Sequence, residues 1–151
     1  MSNGYVALVR DVSASICDCQ LTHLTRDPID LAEARRQHEC YVAALRNEGG
    51  IGEVVYMERH DDLPDAVFVE DTALVFDECA VITLPGAPSR QPEIESTRRA
   101  LGAYRKRIFS LQAPGYVDGG DVIVLRRHVF VGLSSRSTHE GARQLQNFLE
   151  P

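Results

Sequence analysis

The chain has 151 residues, of which 44% are hydrophobic and 25% are charged, and its formal net charge is −6. This composition is ordinary for one compact globular domain and excludes wholesale disorder. The excess of acidic residues argues against nucleic acid or an anionic membrane as the main partner. It leaves room for a cationic small molecule.

The cysteines and the first residues indicate a reduced, cytoplasmic protein. Four cysteines are too few and too scattered for a disulfide scaffold. Cys17 and Cys19 lack the two-residue gap of common zinc sites, so buried or loop thiols are favoured over metal ligands. The N-terminus lacks the basic head and apolar run of a signal peptide, and no stretch approaches the ~20 apolar residues of a spanning helix.

Three elements are predicted before residue 58. Alternating apolar residues indicate a strand over 5–10. A helix is expected to start at Asp27 and Pro28, as N-cap and first helical position, and to end before Gly49. A second strand follows over 53–57, which makes this part a strand–helix–strand unit.

The rest of the chain is predicted to hold two further units. β-rich runs and a polar helix give the middle unit, with strands over 66–69, 72–76, 79–84 and 107–111 and a helix over 92–104. The last unit begins with a hairpin over 122–125 and 128–133. It ends with a helix capped by Ser137 or Thr138 that has Ala142, Leu145 and Phe148 on one face.

These units form a structural repeat. Residues 72–111 are predicted as strand–strand–helix–strand, and 122–149 as strand–strand–helix. A period near 40–50 residues is typical of radial or stacked arrays. The last unit lacks the final strand of the middle one, so we expect the chain to be an incomplete array.

Acidic residues bracket the apolar run in LPDAVFVED, namely Asp65, Glu70 and Asp71. Carboxylates at the end of a buried strand are costly unless they are paired, so a partner is expected. A surface turn next to a strand end explains the same spacing equally well.

Three loops add further charges. Arg90 ends PGAPSR, Arg136 ends GLSSR, and Asp118 precedes two glycines in VDGGDV. Glycine allows backbone conformations that other residues avoid, so Asp118 can be turned into a cleft, although an ordinary tight turn has the same composition. Clustered carboxylates with two arginines suit a ligand that has a cationic group and a carboxylate, such as a cationic amino acid.

Four stretches carry a resemblance to a known family: LPDAVFVEDTALV, LPGAPSR, VDGGDV and VFVGLSSRSTHEGARQL. In this order and spacing they resemble the dimethylarginine dimethylaminohydrolases of the guanidino-group-modifying superfamily. The resemblance runs from Tyr5 to Leu149 and implies an α/β fold, a pseudo-five-fold propeller of ββαβ modules. The chain would be a single incomplete propeller domain with about three of the five modules, roughly 1–65, 66–115 and 116–151.

The resemblance also implies a reaction and a small-molecule substrate. Family members hydrolyse Nω-methylated arginine to citrulline and a methylamine through a cysteine thiolate, with no cofactor and no metal. By motif, Asp71 would accept hydrogen bonds from the guanidinium, and Asp118 would orient the catalytic histidine.

The remaining motif positions would hold the rest of the substrate. Asp65 and Glu70 would bind its amino-acid end, while Arg90 and Arg136 would bind its carboxylate. Leu21, in QLTHL, would lie on the mobile loop that covers the pocket and contact substrate through its backbone.

The family's histidine and cysteine motifs are not among these residues, so the chain is expected to be catalytically incomplete. None of its four cysteines or five histidines falls in those motifs. One hypothesis is that the chain is part of a dimethylarginine dimethylaminohydrolase. A second is a non-catalytic guanidine-binding or assembly protein, which would form homodimers or aggregate through exposed module edges. A third is a related guanidine hydrolase such as an arginine deiminase.

Overall fold

The computed structural model describes residues 4–21 and 25–150. The chain is a mixed α/β protein that divides into two compact units, Met1–Val69 and Glu70–Pro151. No helix in the described residues is long and apolar enough to cross a membrane.

The first unit is a parallel strand pair joined by a long helix. Strand β1 covers Val6–Val9, helix α1 covers Leu31–Asn47, and strand β2 covers Glu53–Tyr56. The two strands run parallel, with Val6 opposite Glu53. Parallel neighbours need a crossover connection, and α1 lies within it. The predicted strand–helix–strand order is confirmed.

The predicted start of α1 is wrong. Asp27 does not cap the helix; Asp30 does, with an extended backbone (φ −74°, ψ 106°). Its Oδ1 accepts hydrogen bonds from the backbone N–H groups of Ala32 at 2.9 Å and Glu33 at 3.1 Å. Both aspartates are good caps by residue type, and the one whose carboxylate reaches the first-turn N–H groups takes the position.

Replacing Asp30 by alanine is therefore expected to destabilise the protein by about 1 kcal/mol, because two first-turn N–H groups lose their acceptor. Asp27→Ala is the matched control and should change the free energy of unfolding by less than about 0.5 kcal/mol. Urea unfolding followed by circular dichroism measures both. Equal effects of the two substitutions would contradict this assignment of the cap.

The second unit begins with a strand–strand–helix–strand module. Its strands are β3 (Ala73–Val75), β4 (Ala80–Ile82) and β5 (Ile108–Ser110), with helix α2 (Glu93–Leu101) between β4 and β5. The strand order is β3-β4-β5, with β3 antiparallel and β5 parallel to β4. This confirms the predicted order of elements, with a shorter helix than the expected 92–104.

A hairpin and a third helix complete the second unit. Strands β6 (Val122–Leu125) and β7 (His128–Val131) are antiparallel, and helix α3 covers His139–Leu149. The Thr138 side chain accepts a hydrogen bond from the N–H of Gly141, so Thr138, one of the two predicted caps, is confirmed.

One predicted strand does not exist. Residues 66 and 67 lie in a turn, Phe68 has no regular structure, and Val69 begins the short 3-10 helix Val69–Thr72. The N–H of Ala66 bonds to the carbonyl of Leu63, and that of Phe68 to the carbonyl of Asp65, so these groups are satisfied locally. A short apolar run does not distinguish a strand from a buried turn.

A buried cluster fixes the loops of the second unit. It consists of Leu74, Val81, Leu111, Val117 and Leu145. The predicted apolar face of α3 contributes to it through Leu145, and the ring of Phe148 stacks on Phe109 at 4.9 Å. The cluster packs β3 and β4 against the segment before β6 and against α3. The polar loops at their ends are therefore held in place.

Candidate functional site

Three short 3-10 segments of the second unit bring predicted site residues together. They are Val69–Thr72, Pro88–Arg90 and Gly119–Asp121. Asp71 connects them, because its Oδ2 accepts a hydrogen bond from Arg90 Nη1 at 2.5 Å and its Oδ1 accepts one from the backbone N–H of Gly120 at 2.8 Å. The side chain of Asp71 remains 16% exposed.

Arg90 is buried between two carboxylates. Its side chain is 3% exposed, and its Nε and Nη2 donate to the two carboxylate oxygens of Glu93 at 3.1 and 2.9 Å. Burial works to lower the pKa of Arg90, but the hydrogen bonds to Glu93 and Asp71 outweigh it and hold the pKa above the ordinary value. Arg90 therefore stays protonated between the two acids.

The sequence did not indicate the role of Glu93. It lies three residues after Arg90, a spacing that is common for exposed pairs on helix surfaces. Here its side chain is 1% exposed at the first turn of α2. Only its burial distinguishes it from a surface pair, and burial cannot be inferred from that spacing.

Two glycines allow the close approach of VDGGDV to Asp71. A Cβ atom at Gly119 would overlap with the backbone carbonyl oxygen of Glu70, and one at Gly120 would lie 2.7 Å from Asp71 Oδ1. Neither glycine has a positive φ. The expectation of an unusual backbone conformation is therefore wrong, and the glycines serve tight packing.

The Asp118 side chain is buried, and one of its two carboxylate oxygens accepts a hydrogen bond. Its side chain is 2% exposed, and Oδ1 accepts a hydrogen bond from the backbone N–H of Gly86 at 2.9 Å. Arg136 Nε lies 3.2 Å from Oδ2, but outside hydrogen-bond geometry, so Oδ2 accepts no hydrogen bond from the described residues. Burial raises the pKa of Asp118, against the opposing effects of the Gly86 N–H and the Arg136 charge.

Asp121, the second acid of VDGGDV, holds the loop that carries Arg136. Its Oδ2 accepts hydrogen bonds from the hydroxyls of Ser137 at 2.6 Å and Ser134 at 2.8 Å. The Ser137 Oγ also accepts the backbone N–H of Asp118 at 3.0 Å. These serines were not predicted as site residues. They link the two loops and so fix Arg136 beside Asp118.

Two predicted site residues belong to the first unit. Asp65 is buried, and both of its oxygens accept the backbone N–H of Gln20 at 3.1 Å. Leu21, the next residue, is exposed. Asp65 therefore holds the chain immediately before Leu21. In the second unit, the Glu70 side chain is exposed.

The cysteines and histidines do not form a metal site among the described residues. Cys17 and Cys40 are exposed, Cys19 and Cys79 are buried, and all four are free thiols. Burial raises the pKa of Cys79, which disfavours a thiolate there.

The raised pKa of Asp118 predicts a pH-dependent stability. A raised folded-state pKa means that the stabilising contribution is fully present below the unfolded value and is lost as pH rises through the folded pKa. Asp118→Asn is neutral throughout, so its stability relative to wild type should be higher at about pH 7 than at about pH 3. Urea unfolding at both pH values measures this difference.

Asp61→Asn is the control of opposite sign. A hydrogen bond from Arg59 lowers the pKa of Asp61, so its contribution is present at neutral pH and is lost as pH falls. The stability of this variant relative to wild type should therefore be lower at neutral pH than at acid pH. The same pH trend for both variants would contradict the burial argument for Asp118.

The α/β fold of this chain is similar to that of solved dimethylarginine and arginine hydrolases. A dimethylarginine dimethylaminohydrolase from Pseudomonas aeruginosa, in a cysteine-to-serine mutant complexed with citrulline, has a TM-score of 0.90 and 33% identity. The match covers 97% of this chain and 56% of that one. The N-terminal domain of ArgZ, an arginine dihydrolase from cyanobacteria, has a TM-score of 0.83 at 19% identity, a likeness of fold alone.

Curated relatives then give the family. A dimethylarginine dimethylaminohydrolase of Streptomyces coelicolor is 37% identical over 145 residues, which are 96% of this chain and 55% of the relative. The Pseudomonas aeruginosa enzyme is also 37% identical, over 80% of this chain and 47% of the relative. No protein-family model matches. The chain belongs to the dimethylarginine dimethylaminohydrolase family, and it spans about half the length of these relatives.

Proposed function

We propose that this chain is the substrate-binding part of an enzyme that hydrolyses Nω-methylated arginine to citrulline and a methylamine. The observation that carries the proposal is the buried triad of Asp71, Arg90 and Glu93, two carboxylates around one guanidinium. Asp71 is partly exposed, so it would accept hydrogen bonds from the guanidinium of the substrate. A complex of a family member with citrulline supports the choice of ligand.

The other site residues take roles around Asp71. Asp118 would accept the N–H of the catalytic histidine at Oδ2, the oxygen that has no hydrogen bond from the described residues. Arg136, 40% exposed, would bind the substrate carboxylate. The resemblance gives Arg90 the same role, but its side chain is 3% exposed and bonded to Asp71 and Glu93, so it would hold Asp71 in place instead. By motif, Glu70 would serve the amino-acid end of the substrate.

The reaction would proceed through a covalent intermediate. A cysteine thiolate attacks the guanidinium carbon, and the methylamine leaves with a proton from the histidine. Water then attacks the same carbon, the thiolate leaves, and citrulline is released. Neither that cysteine nor that histidine is assigned in this chain. We therefore expect these 151 residues to bind substrate and not to hydrolyse it.

The repeated order of elements supports a propeller architecture. The β3–β4–α2–β5 module and the β6–β7–α3 segment share the order strand–strand–helix. We place them as modules of a pseudo-five-fold α/β propeller, with the approximate modules 1–65, 66–115 and 116–151.

The four free thiols fit a cytoplasmic location.

Titration calorimetry of the 151-residue chain with dimethylarginine tests the binding, and a citrulline-release assay tests turnover. Dimethylarginine should bind without releasing citrulline, and Asp71→Asn should weaken binding roughly tenfold or more, since a charge-assisted hydrogen bond is lost. Glu95→Gln, at an exposed carboxylate on α2, should leave affinity unchanged.

Three outcomes would contradict these proposals. If calorimetry detects no binding at millimolar ligand, the chain would have a scaffold role only. Citrulline release at an enzymatic rate would overturn the expected inactivity. Tighter binding of arginine than of dimethylarginine would favour an arginine hydrolase. The fold likeness to ArgZ makes that the second candidate.

A further inference from the structure

We propose that Glu93 determines the charge preference of the candidate site, by neutralising Arg90 so that the charge of Asp71 stays available to a cationic ligand. This inference rests on the proposed function, in which Asp71 binds a guanidinium. Glu93 does not need to touch the ligand. It acts through Arg90 and is a positioning and specificity-determining residue.

Arg90 bonds to its two acidic neighbours in different ways. Glu93 takes two nitrogens of Arg90, Nε and Nη2, in a bidentate pair at 3.1 and 2.9 Å. Asp71 takes Nη1 through one oxygen, Oδ2. Among the described residues, the other oxygen of Asp71 accepts a hydrogen bond only from a neutral donor, the N–H of Gly120. The Asp71 contact is the shorter one, at 2.5 Å, but the bidentate geometry pairs both oxygens of Glu93 with the guanidinium.

The charge count follows from this geometry. One guanidinium faces two carboxylates, so the cluster has one negative charge in excess. Without the charge of Glu93, Arg90 would cancel Asp71, and the cluster would be neutral. A neutral cluster has no electrostatic preference for a guanidinium over a urea group of the same shape.

Burial lets the charge of Glu93 act beyond Arg90. The Glu93 side chain is 1% exposed and that of Arg90 is 3% exposed, so solvent screens the pair weakly. Asp71, at 16%, is the exposed end of the triad. The excess negative charge is therefore presented where Asp71 meets the ligand.

The test compares a cationic and a neutral ligand of similar shape. Dimethylarginine and citrulline share the same amino-acid end, so the ratio of their affinities isolates the charge of the distal group. Calorimetry measures this ratio for the 151-residue chain and for two neutral replacements, Glu93→Gln and Glu93→Met. The preference for dimethylarginine should fall roughly tenfold in each, while citrulline affinity changes little.

Glu93→Asp and Glu95→Gln are the controls. The first keeps a carboxylate at residue 93, one methylene nearer the backbone, and the second removes an exposed carboxylate from the same helix. Both should keep the wild-type ratio. A double variant, Arg90→Gln with Glu93→Gln, leaves Asp71 as the one charge of the triad and should restore the preference.

The outcomes separate this inference from the proposed function. If the wild-type chain binds neither ligand, the proposed function and the inference both fall. If it binds and the neutral variants lose both ligands equally, the proposed function stands and Glu93 is only structural. Unfolding of both neutral variants by circular dichroism would also make Glu93 structural and overturn the inference.

Discussion

Gly119→Ala is expected to destabilise the protein by about 3 kcal/mol or more, the upper range for overpacking. The added methyl group would overlap with the carbonyl oxygen of Glu70. That oxygen belongs to the backbone of the Val69–Thr72 3-10 segment, so it cannot rotate away as a side chain would. The strain must instead move the segment that carries Asp71.

Urea unfolding measures the loss, and Gly132→Ala is the matched control. A Cβ at Gly132 would lie 3.4 Å from the carbonyl oxygen of Asp121, an ordinary contact. This substitution should change the free energy of unfolding by less than about 1 kcal/mol. The Gly119 variant should also bind dimethylarginine more weakly. A Gly119 variant as stable as the control would refute the close packing of VDGGDV on the Glu70 backbone.

The order of elements could be predicted because most segments have a strong local pattern. The run VALV, which forms the strand Val6–Val9, is wholly apolar, and α3 has a hydroxyl cap and a clear apolar face that includes Leu145 and Phe148. The wrong predictions fall where two local structures fit the sequence equally well. Asp27 and Asp30 are equally good caps, and the apolar run over 66–69 satisfies its N–H groups in turns.

The candidate site was predicted by residue type but not by its internal bonding. Four predicted residues of the second unit form two ion pairs, Asp71 with Arg90 and Asp118 with Arg136. The sequence gives no signal that Glu93 is buried, since its spacing from Arg90 fits a solvated pair. Such pairings depend on burial, which long-range packing determines.

Arg90→Met is expected to destabilise the protein by about 3–5 kcal/mol, because it leaves buried carboxylates without their counter-ion. Methionine fills the space of the aliphatic part of arginine but donates no hydrogen bond. Glu93, 1% exposed, then has lost a bidentate partner, and Asp71 has lost the partner of Oδ2. The repulsion between the two acids adds to the cost.

The loss should depend on charge, which distinguishes it from lost packing. Adding Glu93→Met to Arg90→Met removes one uncompensated charge and should recover part of the stability, giving a favourable coupling in a double-mutant cycle.

Arg143→Met is the control for the removal of an arginine from this unit. Arg143 is 61% exposed and pairs with Glu140 on the surface of α3, so its loss should cost much less than that of Arg90. Urea unfolding of the three variants provides the comparison. An Arg90→Met loss that is small and unchanged by Glu93→Met would mean that the triad is solvated. In that case Asp71 would not be held in place by its buried arginine.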